Sequence, residues 1–361
     1  EIHVGGPCNN RCRDCPENCC DAPTAKTEEI VKELTRACSA GCGVVRFTGG
    51  EATMRRDLLK LARAASVLGL GVELYTNGRM LAANEFAEKL RDVDNLFMRV
   101  RLAGHDAETH DRETRTTSFR QVMAGLENAA RLRLQFELSV RLRPDVIEHL
   151  EELLALADSI DGARSMVLEM TRDWIGFDGA PPYSAALETI EAVIDKRSCD
   201  GGDHLPVYVQ GVPICMFRKH PQAYRPDRTE KHMKPAVCSG CSLADWCCGL
   251  PETYTLWFGS RELMPNLRSA ASDVTFLPAN LPAQEMQKLD GFDPASCPVR
   301  DGRLSSPDPA ANIFVKTSAG VTVYSAADGL IPQVETTAAK NMHRRVAGHC
   351  SGAARYSLCA P

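Results

Sequence analysis

Five cysteines stand close together near the start of the chain, in the stretch "GGPCNNRCRDCPENCC". Cys8, Cys12 and Cys15 have the spacing C-x3-C-x2-C and directly follow a short β-rich run. Three thiolates on one tight loop can ligate three irons of a [4Fe–4S] cluster and leave the fourth iron open to another ligand. A closed structural zinc site would need a fourth nearby ligand, which Cys19 or Cys20 could supply. The loop therefore indicates a metal centre, with an iron–sulfur cluster and zinc as the alternatives.

A second group of cysteines lies in "CSGCSLADWCCG", and an earlier cysteine follows the short apolar run in "PICMF". This spacing permits either a four-cysteine zinc site or a second [4Fe–4S] cluster. Because Cys247 and Cys248 are adjacent, the spacing alone leaves open which of the two is a ligand. The predicted metal ligands of this second site are Cys215, Cys238, Cys241 and Cys247.

The composition favours metal binding over disulfides. The chain has 361 residues, 16 cysteines and a formal net charge of −5. An acidic balance argues against sequence-independent nucleic-acid binding, and no apolar run is long enough to span a bilayer or to form a signal peptide. We therefore predict a cytoplasmic protein without a nucleic-acid or membrane partner. Structural disulfides are rare in such a reducing compartment, so clustered cysteines there indicate metal or catalysis.

The elements that must position these cysteines alternate between strand and helix up to about residue 170. The strand candidates are "EIHVG", "GVVRFTGG", "GVELYTNG", "LFMRVRLAG", "LQFELSVRL" and "SMVLEM", and the runs between them have helical apolar spacing. Gly41 and Gly69 stand where helix C-caps belong. Repeated strand–helix–strand units predict a parallel sheet with right-handed crossovers, either doubly wound or an incomplete barrel. In both folds the carboxyl ends of the strands carry the site.

The pattern changes after the sixth strand candidate. One further helix is predicted in "AALETIEAVIDKR", followed by a stretch rich in Pro, Gly and Cys that we expect to be organised by metal. A β-hairpin is predicted in "NIFVKTSAGVTVYSAADG". The predicted organisation is a sheet domain at residues 1–200, a metal-binding segment at 201–270 and a C-terminal extension at 271–361.

Three motifs at three successive strand ends resemble the radical S-adenosylmethionine (SAM) superfamily: "CNNRCRDC", "TGGEAT" and "YTNG". Asp14 is a departure, because the family commonly has an aromatic residue before the third cysteine. The resemblance implies a partial (β/α)6 barrel with a Cys-rich auxiliary-cluster domain after it. It also implies that Cys8, Cys12 and Cys15 ligate a [4Fe–4S] cluster whose open iron is chelated by SAM.

The resemblance also assigns residues that contact SAM. Gly49, Gly50 and Glu51 match the glycine-rich segment that meets the methionine amino group, where glycines allow a close backbone approach and a carboxylate can pair with an ammonium. The alternative is that the sequence "TGGE" forms an ordinary strand-to-helix turn without a role in binding. Thr76 and Asn77 end the third strand and are predicted to meet SAM, although turn chemistry explains an Asn-Gly equally well.

Two arginines lie within predicted strands, where a charge must be paired. Arg101 and Arg141 are assigned to the SAM carboxylate, with Glu169 as an alternative partner for either. The loop "LAGHDAETHDRETRTTSF" after the fourth strand resembles a loop of the same family. This loop contains His105, His110 and Asp111; the two histidines are interpreted as solvated or capping surface residues, and no catalytic residue is assigned.

The second cysteine group resembles the auxiliary-cluster segment of SPASM and twitch radical SAM enzymes. We therefore expect at least one auxiliary [4Fe–4S] cluster, with Cys248 as the spare thiol. A third cluster on Cys297, Cys350 and Cys359 is left open. The remaining cysteines outside the two groups, Cys38, Cys42 and Cys199, are interpreted as packing residues.

The predicted function is that of a radical SAM oxidoreductase or maturase. It would cleave SAM reductively to a 5′-deoxyadenosyl radical, with electrons from a flavodoxin- or ferredoxin-type reductant. That radical would abstract a hydrogen from a peptide or small-molecule substrate, which is then oxidised or cross-linked with help from the auxiliary cluster. The alternatives are a radical SAM methyltransferase and, in another class, an iron–sulfur electron carrier or a zinc-organised binding module. Whether a further segment precedes residue 1 stays open.

Overall fold

The computed structural model describes most of the first 265 residues and six short strands beyond them. The described residues are 1–13, 15, 24–170, 174–177, 179–217, 219–220, 223–225, 232–241, 243–244 and 247–265, with strand backbone at 275–277, 299–300, 303–304, 312–317, 320–325 and 356–357. The chain divides into two compact units. The first comprises Glu1–Thr171, Phe177–Ala180 and Ala192–Tyr208, and the second comprises Arg172–Gly176, Pro181–Glu191 and Val209–Pro361.

An eight-stranded sheet dominates the described fold. Its strands are β1 (Ile2–His3), β2 (Val44–Thr48), β3 (Gly71–Thr76), β4 (Leu96–Arg101), β5 (Phe136–Arg141), β6 (Ala163–Glu169), β7 (Val207–Gln210) and β8 (Tyr224–Arg225). They lie side by side in chain order, and the pairs β1–β2 to β5–β6 and β7–β8 are parallel. A doubly wound sheet would reverse its strand order at one point. The unbroken order therefore confirms the partial barrel, which remains open, and adds β7 and β8 to the six predicted strands.

Helices connect the strands. They are α1 (Thr27–Ser39), α2 (Leu58–Val67), α3 (Asn84–Arg91), α4 (Ala107–Thr114), α5 (Phe119–Arg131), α6 (Pro144–Glu148), α7 (Leu150–Asp158), α8 (Tyr183–Cys199) and α9 (Glu252–Phe258). The predicted glycine C-caps are confirmed, because Gly41 and Gly69 have φ of 75° and 76° just after α1 and α2. In the described part of the chain, no helix combines the length and apolar character that a bilayer crossing requires.

The strands alternate between an apolar and a polar face, as a half-buried pleated strand must. The apolar face is part of the buried core and includes Val45, Phe47, Val72, Leu74, Met98, Val100, Leu138, Val140, Met166 and Leu168. The opposite face carries charged side chains on β2 to β6, namely Arg46, Glu73, Arg99, Arg101, Glu137, Arg141 and Glu169. An open barrel with one such charged face can enclose a polar ligand.

Ion pairs compensate the buried charges on this face. The Arg99 guanidinium is 6% exposed and donates to Glu137 at 2.5 Å and to Glu169 at 3.0 Å. Arg46 pairs with Glu73 at 2.9 Å. The guanidinium carbons of Arg46 and Arg99 lie 4.6 Å and 4.7 Å from the ring centroid of Tyr75. Because a buried charge is tolerated only when paired and hydrogen-bonded, this network makes a charged interior face compatible with a stable fold.

The C-terminal part contains β9 (Thr275–Leu277), β10 (Val299–Arg300), β11 (Arg303–Leu304), β12 (Asn312–Thr317), β13 (Gly320–Ser325) and β14 (Tyr356–Ser357). The predicted hairpin is confirmed, since β12 and β13 pair antiparallel from Asn312↔Ser325 to Thr317↔Gly320. The proposed third cluster on Cys297, Cys350 and Cys359 lies outside the described residues, as do Asp14, Cys19 and Cys20. The three-part division of the chain stays a prediction.

Candidate active site

The cysteine loop follows β1 at the carboxyl edge of the sheet. Cys8, Cys12 and Cys15 are half-buried there. Burial, together with the charges of Glu51, Cys12 and Cys15, raises the pKa of the Cys8 thiol to about 11, against the lowering effect of a hydrogen bond from the Asn10 N–H. Thiols that act on one another in this way form a donor set that fits a [4Fe–4S] cluster. Iron binding would then displace protons from these sulfurs, because the ligands of a metal are thiolates.

The "TGGE" turn after β2 docks the beginning of this loop. The Gly50 N–H donates to the Gly5 carbonyl at 2.7 Å, and the Glu51 N–H donates to the Pro7 carbonyl at 2.9 Å. A Cβ atom added at Gly50 would lie 2.0 Å from the carbonyl oxygen of Gly6, and one added at Gly49 would lie 2.4 Å from that of Gly5. The close backbone approach expected of these glycines is therefore made to the chain's own cysteine loop. Their contact with SAM stays a prediction.

The Glu51 side chain ties this turn to the end of β3. It is 4% exposed. One carboxylate oxygen accepts from the Thr53 N–H at 3.0 Å and from the hydroxyls of Thr53 and Thr76 at 2.5 Å and 2.7 Å, and the other accepts from the Asn77 N–H at 2.7 Å. Four donors hold the carboxylate, so Glu51 has a positioning role whether or not it also meets an ammonium.

Thr76 and Asn77 lie where the sequence predicts them, at the end of β3 beside the cysteine loop. The Asn77 side-chain amide donates to the Asn9 side-chain oxygen at 2.7 Å and lies 3.9 Å from the Cys8 sulfur. The Asn77 side-chain oxygen accepts from the Arg79 N–H at 3.1 Å, which is the turn chemistry of an Asn-Gly, and the Thr76 hydroxyl accepts from the Gly78 N–H at 3.1 Å in the same way. The two residues thus contact the proposed metal loop and shape the turn at the same time.

Arg101 and Arg141 lie on adjacent strands of the charged sheet face. In the register of the sheet, Arg101 is opposite Ser139 and Arg141 is opposite Glu169. The pairing of Glu169 with Arg99 was missed by sequence reasoning, which did not single out Arg99. Arg99 and Glu169 are brought together by the register of the strands in the sheet. This register is not encoded by any local signal in the sequence. The assignment of Arg101 and Arg141 to SAM stays a prediction.

The loop after β4 supports the cysteine loop from another side. The N–H groups of Arg11 and Arg13 each donate at 2.9 Å, to the carbonyls of Thr114 and Glu113 respectively. These carbonyls belong to the last turn of α4, where helical partners are lacking. The Arg13 guanidinium also pairs with the Glu113 carboxylate at 3.2 Å. The end of α4 is therefore a docking platform for the cysteine loop.

His110 and Asp111 of this loop have structural contacts, but His110 is buried and is therefore not the solvated or capping histidine that was expected. The His110 ring is 1% exposed, and burial lowers its pKa to about 4, so the imidazole is neutral. Its Nδ1 accepts from the Ala103 N–H at 3.3 Å. Asp111 accepts from the N–H groups of Ser118 and Phe119, both at 2.8 Å, at the beginning of α5. Asp111 is thus a helix cap.

The second cysteine group lines one pocket in the second unit. The pocket is bounded by Cys215, Cys238, Cys241 and Cys247, together with Pro213, Ile214, Lys234, Ala244, Gly249, Leu263 and Pro265. Cys248 is buried and lies outside this lining. Within the described residues, no three His, Cys, Asp or Glu side chains are grouped to hold a metal ion. The four predicted thiols line the same pocket, so the structure brings them together as the sequence predicts.

The environment of Cys247 favours the thiolate. A hydrogen bond from the Cys248 thiol lowers the pKa of Cys247 to about 6, against the opposing effect of burial. The Gly249 N–H also donates to the Cys247 sulfur at 3.4 Å. The lowered pKa of Cys247 is compatible with ligation, because a thiolate is the form that ligates metal, and the pocket lining includes Cys247 and not Cys248.

The other described cysteines differ from the prediction in part. Cys38 is half-buried, and its thiol donates to the Leu68 carbonyl at 3.3 Å, as a packing residue can. Cys42 and Cys199 are exposed, so their interpretation as packing residues is wrong. Cys42 directly follows the glycine C-cap of α1, and Cys199 ends α8. Residues at these helix ends lie at the surface, and the apolar character of a cysteine does not by itself show whether the residue is buried.

Comparison with known proteins identifies the family. A family model described as "Radical SAM superfamily" matches residues 2–157. An AdoMet-dependent heme synthase of Methanosarcina barkeri (strain Fusaro / DSM 804) is 28% identical over 150 residues, which cover 41% of this chain and 43% of that protein. A probable GTP 3′,8-cyclase of Saccharolobus islandicus (strain M.14.25 / Kamchatka #1) is 31% identical over 224 residues, covering 60% of this chain and 68% of that protein.

The solved structures agree with the fold. The structure of Streptococcus suis SuiB bound to precursor peptide SuiA matches with a TM-score of 0.52 and 15% identity, over 58% of this chain and 48% of that one. The chain spans about two fifths of the length of the heme synthase that it matches. A [4Fe–4S] cluster and SAM follow from the family, and the donor set at the cysteine loop fits them. The chain belongs to the radical SAM superfamily of enzymes.

Proposed function

We propose that this enzyme cleaves SAM reductively at the site around Cys8, Cys12 and Cys15 and uses the resulting 5′-deoxyadenosyl radical to oxidise or cross-link its substrate. The observation that carries the proposal is the docking of a three-thiol loop against both the "TGGE" turn and the end of β3. A [4Fe–4S] cluster at this loop would supply the single electron that breaks the S–C5′ bond of SAM, taken in turn from a flavodoxin- or ferredoxin-type reductant.

The chain's own residues would orient SAM in this proposal. The carbonyl groups of Gly49 and Gly50 would accept from the methionine amino group, beside the Glu51 carboxylate. Thr76 and Asn77 are held next to the loop by Glu51 and Asn9. Arg101 or Arg141 would receive the SAM carboxylate on the charged sheet face, where Arg99 already holds Glu169 at 3.0 Å. These contacts would hold the methionine part of the cofactor beside the cysteine loop.

The second cysteine pocket is proposed to hold an auxiliary [4Fe–4S] cluster on Cys215, Cys238, Cys241 and Cys247. Zinc would need four sulfurs at about 2.3 Å from one ion. The four thiols line one pocket, and the resemblance of their spacing to auxiliary-cluster segments supports an iron–sulfur cluster there. Ligation by four cysteines would leave no iron open, so the cluster would carry electrons rather than bind substrate. It would accept the electron that the product radical loses when that radical is oxidised to the final product.

The substrate is proposed to be a peptide or a small polar molecule. A peptide is supported by SuiB, which shares the fold and whose structure holds a precursor peptide. A small molecule is supported by the relatives named for GTP cyclisation and heme synthesis. The charged sheet face favours a polar group in either case, because an apolar group there would leave guanidinium and carboxylate groups without solvation.

The proposal is tested by anaerobic reconstitution with iron and sulfide, followed by a strong reductant and SAM. We expect 5′-deoxyadenosine from the wild type and from Cys42→Ala, which removes an exposed thiol remote from both cysteine groups in sequence. The Cys12→Ala variant should give none, because the SAM-binding cluster loses one of its three ligands.

Iron analysis separates the outcomes of this experiment. A fully loaded wild type that gives no 5′-deoxyadenosine, with or without candidate peptides and nucleotides, would contradict radical generation. A protein purified without oxygen that carries zinc alone would point to the binding module instead.

A further inference from the structure

Arg79 reaches into the cysteine loop from the turn after β3. Its Nη1 donates to the carbonyl of Asn9 and, at 2.9 Å, to the side-chain oxygen of Asn10. Its Nε donates to the Gln121 side-chain oxygen at 2.7 Å, on α5. One guanidinium therefore links a helix to the two residues that follow Cys8. A planar fork with several donors is suited to such a link, and a lysine cannot reproduce it.

Asn10 connects Arg79 to a ligand sulfur. Asn10 is 4% exposed, and its backbone N–H donates to the Cys8 sulfur at 3.3 Å. Its side-chain oxygen accepts from Arg79 and also from the Thr116 hydroxyl at 3.0 Å. With the side chain held from two sides, the backbone amide of Asn10 is held in the orientation that meets Cys8.

A fixed N–H···S contact has an electronic consequence. Hydrogen bonds to the sulfurs of an iron–sulfur cluster are one of the factors that set its reduction potential. A donor stabilises the more negative, reduced state, so the potential becomes less negative. The positive charge of Arg79 acts in the same direction. Outer-shell partners of metal ligands change metal affinity by about 10- to 100-fold when they are removed.

We propose that Arg79 is a positioning residue for the SAM-binding cluster, which holds Asn10 against Cys8 and thereby raises the reduction potential and slows iron loss. This inference rests on the cluster at the Cys8 loop and not on the auxiliary cluster or the substrate. Arg79 is not a ligand and acts through Asn9 and Asn10. Neither the cysteine motif nor the glycine motif includes it.

The test compares Arg79→Met, Arg79→Lys and the control Arg63→Met in the reconstituted full chain. Arg63 lies on α2, is 50% exposed and pairs only weakly with Asp92 at 3.5 Å. The reduction midpoint is read by electron paramagnetic resonance, from the reduced signal that changes when SAM is added. Iron release to a chelator is followed in the same samples, and neither reading requires turnover.

We expect Arg79→Met to lower the reduction equilibrium constant about tenfold, which is about 59 mV for one electron. Iron release should be about tenfold faster, within the range for outer-shell partners. Arg79→Lys keeps the charge but loses the fork, and should lie between Arg79→Met and the wild type. Arg63→Met should match the wild type. A folded Arg79→Met with the wild-type midpoint and release rate would overturn the proposal.

A second variant decides the question if Arg79→Met does not fold. Thr116→Val removes the other hydrogen bond to the Asn10 side chain and keeps a similar volume. A shift in the same direction as predicted for Arg79→Met, but smaller, supports the proposal. Wild-type values for Thr116→Val in that case would overturn it. A wild type that generates no radical, while the variants show the predicted shifts in midpoint and iron release, would contradict the proposed function and leave this inference standing.

Discussion

The two cysteine sites differ in what surrounds them. The loop of Cys8, Cys12 and Cys15 is bordered by strand ends and by the last turn of α4, and its backbone is bonded to Gly50, Glu51, Glu113 and Thr114. The pocket of the second unit lies in a segment whose described elements are short, namely β8, two 3₁₀ turns and the seven-residue α9. The first loop is thus organised by the fold around it.

This difference has a consequence for metal binding. A loop docked by backbone hydrogen bonds keeps part of its shape without metal, and the metal adds to an existing arrangement. A segment with few regular elements gains much of its order from the metal, because the binding free energy is then also folding free energy. We therefore expect the first site to depend mainly on its docking contacts and the second mainly on its ligands.

The largest effect should come from breaking the docking of the first loop. Gly50→Ala puts a Cβ atom 2.0 Å from the backbone carbonyl oxygen of Gly6. Because the two backbone segments would have to separate to relieve this clash, which undocks the loop, we expect about 3 kcal/mol of destabilisation and loss of the SAM-binding cluster. Thermal unfolding and iron analysis measure both.

A matched glycine serves as the control for this variant. A Cβ atom at Gly176 would meet no other atom within 4 Å, so Gly176→Ala should keep wild-type stability and iron content. Full iron occupancy at the first site in Gly50→Ala would show that the loop does not need its docking contacts, and the comparison between the sites would fail.

A smaller effect separates the two adjacent cysteines of the second site. Cys247 lines the pocket and Cys248 does not. Cys247→Ala should therefore remove the iron of the auxiliary cluster, while the iron of the SAM-binding cluster remains. It should also increase hydrogen exchange around residues 232–265. Cys248→Ala should keep the iron but weaken its retention, because the hydrogen bond to Cys247 is lost. The reverse pattern, with iron lost only in Cys248→Ala, would contradict this assignment of the ligand.

The smallest effect concerns the fold of the first unit, which does not rely on metal in this account. Burial opposes ionisation of Asp158, but hydrogen bonds from Arg197, the Leu205 N–H and His204 outweigh it and lower its pKa to about 2. The ionised Asp158 carboxylate therefore stabilises the fold at pH values above 3.8, which is the ordinary pKa of an aspartate. This contribution is lost as the pH falls toward 2.

The corresponding experiment is acid unfolding of the metal-free chain. Asp158→Asn should flatten the loss of stability between pH 4 and 2, whereas Asp92→Asn should leave it unchanged. Asp92 is 61% exposed and pairs with Arg63 at 3.5 Å, so its contribution is small. Identical acid profiles for Asp158→Asn and the wild type would show that this carboxylate does not set the pH dependence.

Much of the fold follows from local patterns in the sequence. Six strands and two glycine C-caps were predicted, because apolar periodicity and αL glycines are local signals. The strands β7 and β8 were missed, since four-residue and two-residue strands in a Pro- and Gly-rich stretch give almost no periodicity. Strand order in the sheet then distinguished the barrel from the doubly wound fold.

The ligands of the candidate site could be predicted from the sequence, but the residues that hold the cysteine loop in place could not. Cysteine spacing and strand-end motifs are contiguous in the sequence, whereas Asn9 and Asn10 are 70 and 69 residues away from Arg79, and Arg13 is 100 residues away from Glu113. Contacts of this range depend on sheet order and loop docking, which spacing does not encode. The same reason explains why the pairing of Arg99 with Glu169 was not predicted.

The most direct test of the central claim is electron–nuclear double resonance on the reduced, reconstituted protein with SAM labelled at its amino nitrogen with ¹⁵N. If Cys8, Cys12 and Cys15 leave one iron open to SAM, the label should be strongly coupled to the cluster, and the coupling should be lost in Cys12→Ala. Bound SAM without any coupling, together with a fourth ligand from the protein, would contradict the claim.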